Sequence, residues 1–162
     1  MIYSIDAIKS VLESKLKQLA EEHCSREVAK GRALRIVDLG VFPWMQTIEI
    51  SFLFEGDKIV GMDELAADDE IADWPFYDIS GINEGRWPEA ESLAAEMAGV
   101  WNDSDNPELI PFLQDFAKAA QTLELKSALS DLNLADDFTF QILNPDQDNS
   151  PNYYLEPLNA HS

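Results

Sequence analysis

Apolar and polar side chains alternate most regularly between Thr47 and Glu55. The apolar positions of this stretch point to one side of an extended chain and are Ile48, Ile50, Phe52 and Phe54. A period of two predicts a strand with one buried and one solvated face. The preceding stretch, from Leu34 to Phe42, is apolar on both faces and predicts a more deeply buried strand.

Turn signals separate these strands and point to others. Pro43 and Trp44 break the chain between the two, and residues 55–58 form a turn into a short strand at Ile59 and Val60. The last alternating run predicts a final strand and consists of Phe138, Phe140 and Ile142. These segments predict an antiparallel meander on which helices must pack.

The N-terminal segment has the spacing of three or four residues that indicates an amphipathic helix. Its apolar stripe consists of Ile5, Ile8, Leu12, Leu16, Leu19 and His23. Ser4 is the predicted N-cap, the helix extends to about Ala29, and Gly31 ends it.

Two further helical regions follow the middle of the chain. Pro88 begins one of them, and Pro107 begins the other, which continues with a kink to about Leu132. Residues 62–73 have too few apolar positions for more than a short helix, and the aromatic residues 74–79 predict a strand or a packed loop.

Together these elements predict one α+β domain over residues 1–162, a length that can bury a single core. It has an N-terminal helix, an antiparallel meander sheet of three to five strands, a helical C-terminal half packed on one face, and a final strand that returns to the sheet. Residues from about 145 to 162 are rich in proline and asparagine and predict a partly ordered tail.

The composition is that of a folding sequence, with 46% apolar and 10% aromatic residues. No apolar run approaches the roughly 20 residues that a membrane span needs. Charges interrupt every short apolar stretch near the N-terminus, so a signal peptide is not expected. The single cysteine, Cys24, excludes an intrachain disulfide, and we expect a reduced, cytoplasmic protein.

The charge is strongly negative and unevenly distributed. The chain has 31 acidic and 11 basic residues, a formal net charge of −20. Residues 55–115 hold 17 acids against Lys58 and Arg86, a net charge of −15. Such a field opposes binding to nucleic acid or an anionic membrane and favours a basic partner or a bound cation. The alternative is an acidic surface that serves only solubility or a salt-adapted cytoplasm.

Aromatic residues fall within or just before this acidic region. Aromatic anchors surrounded by carboxylates are typical of a surface that binds a basic protein. The predicted partner-binding residues are Asp63, Glu64, Asp68, Asp69, Glu70, Asp73, Trp74 and Tyr77. The alternative for the tryptophans is a place in the core. The alternatives for the acids are a Mg²⁺ or Ca²⁺ site in an enzyme, or a structural domain without a site.

His23 and Cys24 form the one histidine–cysteine pair in the sequence. Adjacent residues on a helix point about 100° apart, so these two side chains are poorly placed to act as base and nucleophile. His23 also ends the apolar stripe of the first helix, which favours a packed or capping role.

Residues 146–150 begin like a calcium-binding loop, with Asp146, Asp148 and Ser150 at alternate positions. The glycine and the bidentate glutamate that such a loop requires are replaced by Pro151 and Pro157. Phosphate-loop, dinucleotide-binding, zinc-binding and nucleophile-elbow motifs are also missing from the sequence. We therefore expect no catalytic residue, no metal and no cofactor, and neither nucleic acid nor membrane as a partner.

The order of the predicted elements resembles the layout of other known proteins. Arg86-Trp87-Pro88 opens a helix, a strand runs into an Asn/Asp-rich turn over residues 138–150, and Leu158-Asn159 forms a short ending. In this layout the chain resembles a family of small uncharacterised bacterial domain proteins. It also resembles acidic α+β immunity proteins encoded beside contact-dependent or polymorphic toxins. The resemblance covers most of the chain and defines no site residues. It implies a bacterial, cytoplasmic, non-enzymatic protein.

With the charge distribution, the resemblance suggests an immunity or inhibitor protein. Such a protein would engage a basic partner through residues 55–115. For a nuclease toxin, the predicted acids would take the place of nucleic-acid phosphates.

Overall fold

The computed structural model describes residues 2–155, which form a three-stranded sheet with helices on one face. The strands are β1 (Leu34–Phe42), β2 (Thr47–Phe54) and β3 (Leu134–Gln141), in the order β2-β1-β3. β1 pairs antiparallel with β2, as predicted, but β3 pairs parallel with β1. The α+β class is confirmed, and the antiparallel meander is wrong for the last strand. The helices between β2 and β3 return the chain to the end of the sheet at which β1 begins, so β3 runs alongside β1 in the same direction.

The predicted N-terminal helix is present over nearly its full expected length. It consists of α1 (Ile5–Leu19), a single π-helical turn (Ala20–Cys24) and α2 (Ser25–Ala29). The Ser4 side chain accepts a hydrogen bond from the backbone N–H of Ala7 at 3.1 Å and caps the first turn. Gly31 follows the helix with a φ of 74°, which glycine adopts more readily than other residues.

Three α-helices lie between β2 and β3, and they are α3 (Pro88–Asn102), α4 (Ile110–Ala120) and α5 (Leu123–Ser130). Pro88 begins α3 as predicted. The second helix begins at Ile110 and not at Pro107, and Pro111 occupies its first turn, where a missing N–H costs no hydrogen bond. The predicted kink is a break at Gln121, after which the Thr122 side chain caps α5.

Alternation along the strands divides the buried residues into two groups. Helix side chains and one face of the sheet form the main core, which includes Val37, Leu39, Ile48, Ile50, Phe52, Phe54 and Phe140. The opposite face carries a small separate cluster that consists of Ile36, Leu53, Ala66 and Trp74. The helices therefore cover one face, and residues 59–74 cover part of the other.

No strand forms at Ile59 and Val60, so this prediction is wrong. Lys58 and Leu65 form an isolated antiparallel bridge instead, and residues 58–65 make a tight loop. The aromatic residues that follow are a packed loop along the edge of β2. Phe52 N–H donates to the Phe76 carbonyl at 3.1 Å, and Ile79 N–H donates to the Ile50 carbonyl at 2.9 Å. These bonds occupy part of an edge that would otherwise be open to pairing.

The first part of the predicted tail is held by specific contacts. The Asn152 side chain accepts from Ile142 N–H at 3.0 Å and donates to the Phe140 carbonyl at 2.9 Å. Tyr153 is buried, and the Tyr154 ring lies 5.0 Å from that of Phe140. The remainder of the predicted tail, with Leu158 and Asn159, lies outside the described residues. Within the described part of the chain, no helix is long and apolar enough to cross a membrane.

Arg32 connects the end of the N-terminal helix to the loop after β2. Its Nε lies 3.3 Å from Glu27 Oε2, and its Nη2 contacts Asp57 Oδ1. Both carboxylates are buried, and Asp57 Oδ2 also accepts from the N–H of Phe54 at 2.8 Å. The guanidinium is therefore the cation that the two buried carboxylates share, and Lys30 Nζ lies 3.5 Å from Glu27 Oε1 as a second cation for that residue.

We expect Arg32→Ala to lower the free energy of unfolding by about 2–4 kcal/mol. Removal of the guanidinium leaves two buried carboxylates without their shared cation, although its partial exposure reduces the effect. Urea unfolding monitored by tryptophan fluorescence measures the loss. Arg26→Ala is the control, because Arg26 is exposed on α2, and its effect should stay within about 0.5 kcal/mol. Equal losses in the two variants would contradict this role.

Candidate functional site

The 58–65 loop exposes apolar and acidic side chains together. Its backbone is closed by hydrogen bonds from Ile59 N–H to the Glu64 carbonyl and from Met62 N–H to the Ile59 carbonyl, at 2.8 and 3.0 Å. The loop's exposed apolar side chains are Val60 (65% exposed), Met62 (53%) and Leu65 (70%). Asp63 and Glu64 lie between them in the sequence and are also exposed. The tight turn therefore presents a mixed apolar and acidic surface to solvent.

Two of the six predicted partner-binding acids are neutralised within the molecule. Lys58 pairs with Asp63, and Arg35 Nη2 donates to both carboxylate oxygens of Asp68 at 3.1 Å. The other four have no ion pair among residues 2–155 and are Glu64, Asp69, Glu70 and Asp73. The predicted acidic surface therefore keeps most of its negative charge.

Trp74 cannot serve as the predicted surface anchor. Its side chain is 1% exposed and packs with Ile36 and Leu53 on the second face of the sheet. The indole Nε1 donates to the Ala67 carbonyl at 2.7 Å, which satisfies its polar atom in the interior. Trp74 is a core residue that holds the acidic segment against the sheet.

A cleft of about 720 Å³ lies on this second face, beside the cluster around Trp74. Its base is formed by β1, β2 and the end of β3, and its walls by residues 69–77 and 143–152. The acidic residues that line it are Asp38, Glu49, Asp69, Glu70, Asp73 and Asp148. Of the residues that the structure describes, no lysine, arginine or histidine lines the cleft, so every formal charge among these lining residues is negative.

Asp38 lies at the base of the cleft and is 5% exposed. Its Oδ2 accepts a hydrogen bond from Gln141 Nε2 at 2.9 Å, and Gln141 also donates to the Asp68 carbonyl at 2.9 Å. Burial raises the pKa of Asp38 to about 7; the Gln141 hydrogen bond lowers it and the charge of Glu49 raises it. This carboxyl group therefore titrates near neutral pH.

Glu49 is the second partly buried acid of the cleft. Residues 38 and 51 are paired across β1 and β2, as are 40 and 49, so the side chains of Asp38 and Glu49 share one face as diagonal neighbours. The Tyr77 hydroxyl lies 3.3 Å from both carboxylate oxygens of Glu49. Burial and the charge of Asp78 raise the pKa of Glu49, whereas the Tyr77 hydrogen bond lowers it.

The geometry gives less support to a metal site or to catalysis by Cys24 and His23. Among residues 2–155, no group of three or more His, Cys, Asp or Glu side chains is arranged to hold a metal ion. Cys24 borders a second cavity of about 600 Å³ beside the π-helical turn. Burial raises the pKa of the Cys24 thiol to about 11, so the thiol is protonated at neutral pH and is a weak nucleophile. His23 packs edge-on against Phe76.

The fold separates the predicted partner-binding residues into two places. Asp63 and Glu64 belong to the 58–65 loop, whereas Asp69, Glu70, Asp73 and Tyr77 line the cleft. Asp38, Glu49 and Gln141 are site residues that were not predicted from the sequence. The available signal was an acid in the middle of β1 between the apolar residues Val37 and Leu39, since an unpaired buried acid is costly.

We expect the Asp38→Asn variant to be more stable than the natural protein, by an amount that grows with pH. The folded state raises the Asp38 pKa from 3.8 to about 7, so the folded protein holds a proton that the unfolded chain releases. Stability from this group is therefore lost as pH rises through that range. The difference in unfolding free energy between the variant and the natural protein should grow by about 2–3 kcal/mol from about pH 5 to about pH 8. Roughly two pKa units of the shift lie in this range, and each corresponds to about 1.36 kcal/mol.

Urea unfolding at both pH values measures this difference. Asparagine keeps an oxygen that can accept from Gln141, so the hydrogen bond is retained. Asp105→Asn, in the exposed turn between α3 and α4, removes the same formal charge and should show no such growth with pH. A constant stability difference between Asp38→Asn and the natural protein would argue against a raised Asp38 pKa.

Comparison of this chain with protein-family models, with curated proteins and with solved structures finds no match. The resemblance to immunity proteins therefore stays a prediction.

Proposed function

We propose that this protein binds a basic protein partner through the 58–65 loop and the acids beside it, as a non-enzymatic immunity or inhibitor protein. The observation that carries the proposal is the exposure of Val60, Met62 and Leu65 on one tight loop that also exposes Asp63 and the unpaired Glu64. Exposed apolar side chains that lie together often mark interaction surfaces. Acids around them select a partner of opposite charge.

The charge distribution supports a basic partner. The region from residue 55 to 115 carries a net charge of −15, and four of the six predicted acids have no ion pair among residues 2–155. A field of this kind steers a positively charged protein and accelerates association, and salt weakens the effect. The same field repels nucleic acid, whose phosphates these acids would replace on a nuclease toxin.

The anchors in this proposal differ from those that the sequence predicted. Val60, Met62 and Leu65 take the place of Trp74, which the core already uses. Methionine adapts its shape to a partner surface, and the loop's closed backbone limits the entropy lost on binding. The proposed surface therefore combines apolar contact with electrostatic selection.

We expect the double substitution Asp63→Lys and Glu64→Lys to abolish capture of the partner. Affinity-tagged natural protein and variant are incubated with native-organism lysate at low and moderate salt, and bound proteins are identified by mass spectrometry. The product of the neighbouring gene, purified, is tested in parallel. The expected result is one stoichiometric basic protein that is captured by the natural protein, is lost as salt rises, and is absent with the variant.

Asp103→Lys with Asp105→Lys is the matched control, because both acids are exposed and the change in net charge is the same. This control should retain the partner. Loss of the partner in both double variants would mean that total charge, and not the 58–65 loop, determines binding. Leu65→Ser should accelerate dissociation of the purified complex by roughly tenfold, the equivalent of about 1.4 kcal/mol of lost apolar contact.

A further inference from the structure

The cleft on the second face contains a buried acid, Asp38, that has no ion pair within the described part of the chain. Asp38 is 5% exposed, and its one hydrogen bond from the described residues uses Oδ2. Burial of a carboxylate without a positive partner is unfavourable, so such groups are commonly paired, protonated or bound to a ligand. The lining of the cleft between residues 38 and 152 provides no positive group.

We propose that this cleft binds a small organic cation, whose amine or guanidinium group pairs with Asp38. The free Oδ1 of Asp38 accepts a hydrogen bond from the cation, while Gln141 holds Oδ2. Glu49 supplies a second acceptor on the same face, and the exposed acids Asp69 and Glu70 attract the ligand at the wall of the cleft.

The size and lining of the cleft favour an organic ligand. Its volume of about 720 Å³ lies in the range of small-molecule sites, about 300–1,000 Å³. Apolar residues also line the cleft and include Phe42, Ile71, Ala72, Leu143 and Pro145. A bare metal ion gains nothing from such walls, whereas the carbon chain of an organic amine can pack against them.

The walls of the cleft are held in place before any ligand binds. Asn152 bonds to the backbone of β3 and to that of Ile142, and the Ser150 hydroxyl accepts from Asn144 N–H at 2.8 Å. At the base of the cleft, Gln141 donates to the Asp68 carbonyl, which lies next to the opposite wall. Gln141 is therefore a positioning residue that connects Asp38 to the acidic segment. A preformed site loses little entropy on binding.

The charge state of Asp38 makes binding dependent on pH. Only the ionised carboxylate pairs with a cation, and half of the molecules carry it at about pH 7. The titratable groups that face Asp38 from the surrounding elements are Glu49, Asp69, Glu70, Asp73, Tyr77, Asp78 and Asp148. The pKa of Glu49 is also raised, which adds to the dependence in the same direction. Affinity should rise by about tenfold between about pH 6 and about pH 8, in proportion to the ionised fraction of Asp38.

Isothermal titration calorimetry with agmatine, which carries a guanidinium and a primary amine, tests the proposal at both pH values and about 0.15 M salt. The natural protein should bind one agmatine and release protons on binding near neutral pH. Asp38→Asn should lose at least tenfold in affinity and all of the pH dependence that comes from this group, while it stays folded in urea unfolding. Glu49→Gln should lose less, because Tyr77 still holds the side chain.

Asp105→Asn is the matched control for net charge and should bind agmatine like the natural protein. Equal losses in Asp38→Asn and Asp105→Asn, binding of several agmatine molecules, or affinity that does not change with pH would overturn the proposal. These results would show that agmatine acts as a general counterion of an acidic protein.

N-acetyl-argininamide distinguishes two sources of the cation. Tighter binding of agmatine indicates a free small molecule, and equal or tighter binding of N-acetyl-argininamide indicates an arginine side chain of a protein. No binding of either compound at millimolar concentration overturns the proposal. The inference is independent of the partner-binding loop, because Asp38→Asn should leave capture of the basic protein unchanged.

Discussion

The alternation of side chains along the β1–β2 ladder determines what can lie on either side of the sheet. The apolar face of the sheet packs against helices α1, α3, α4 and α5 and forms one core with them. Its other face has only a small apolar cluster around Leu53 and Trp74, and then becomes polar at Asp38, Glu49 and Ser51. Helices need a wide apolar surface, so they pack on the first face. The second face is left to loops and a cleft.

The loops on the second face are irregular but firmly attached. Arg32 holds Asp57 at the start of the segment, Trp74 anchors its middle in the small cluster, and Gln141 bonds to the Asp68 carbonyl. These contacts order a segment with too few apolar residues for an α-helix or strand of its own, in which Ile71–Asp73 forms a 3₁₀ helix. The acids of the segment are therefore presented in defined places, some on the 58–65 loop and others at the wall of the cleft.

Asp38 illustrates a conflict between stability and a possible site. A neutral side chain at this position would avoid the cost of a buried charge, yet the fold places a carboxyl group there with a single amide partner. Strongly shifted acids in clefts are often functional. The same desolvation that destabilises the empty protein strengthens a charge pair with any cation that enters, because the surroundings screen the charges poorly.

The sequence by itself determined the α+β class, the N-terminal helix, the β1–β2 pair and the negative surface, because these depend on local periodicity, capping and composition. Only the tertiary structure decided that β3 runs parallel to β1, since strand direction depends on where the intervening helices return the chain. It also decided that Trp74 is buried while Leu65 is exposed, although both lie near the same acids. Asp38, Glu49 and Gln141 come from three separate strands, and pairing across the sheet is what brings them to one cleft.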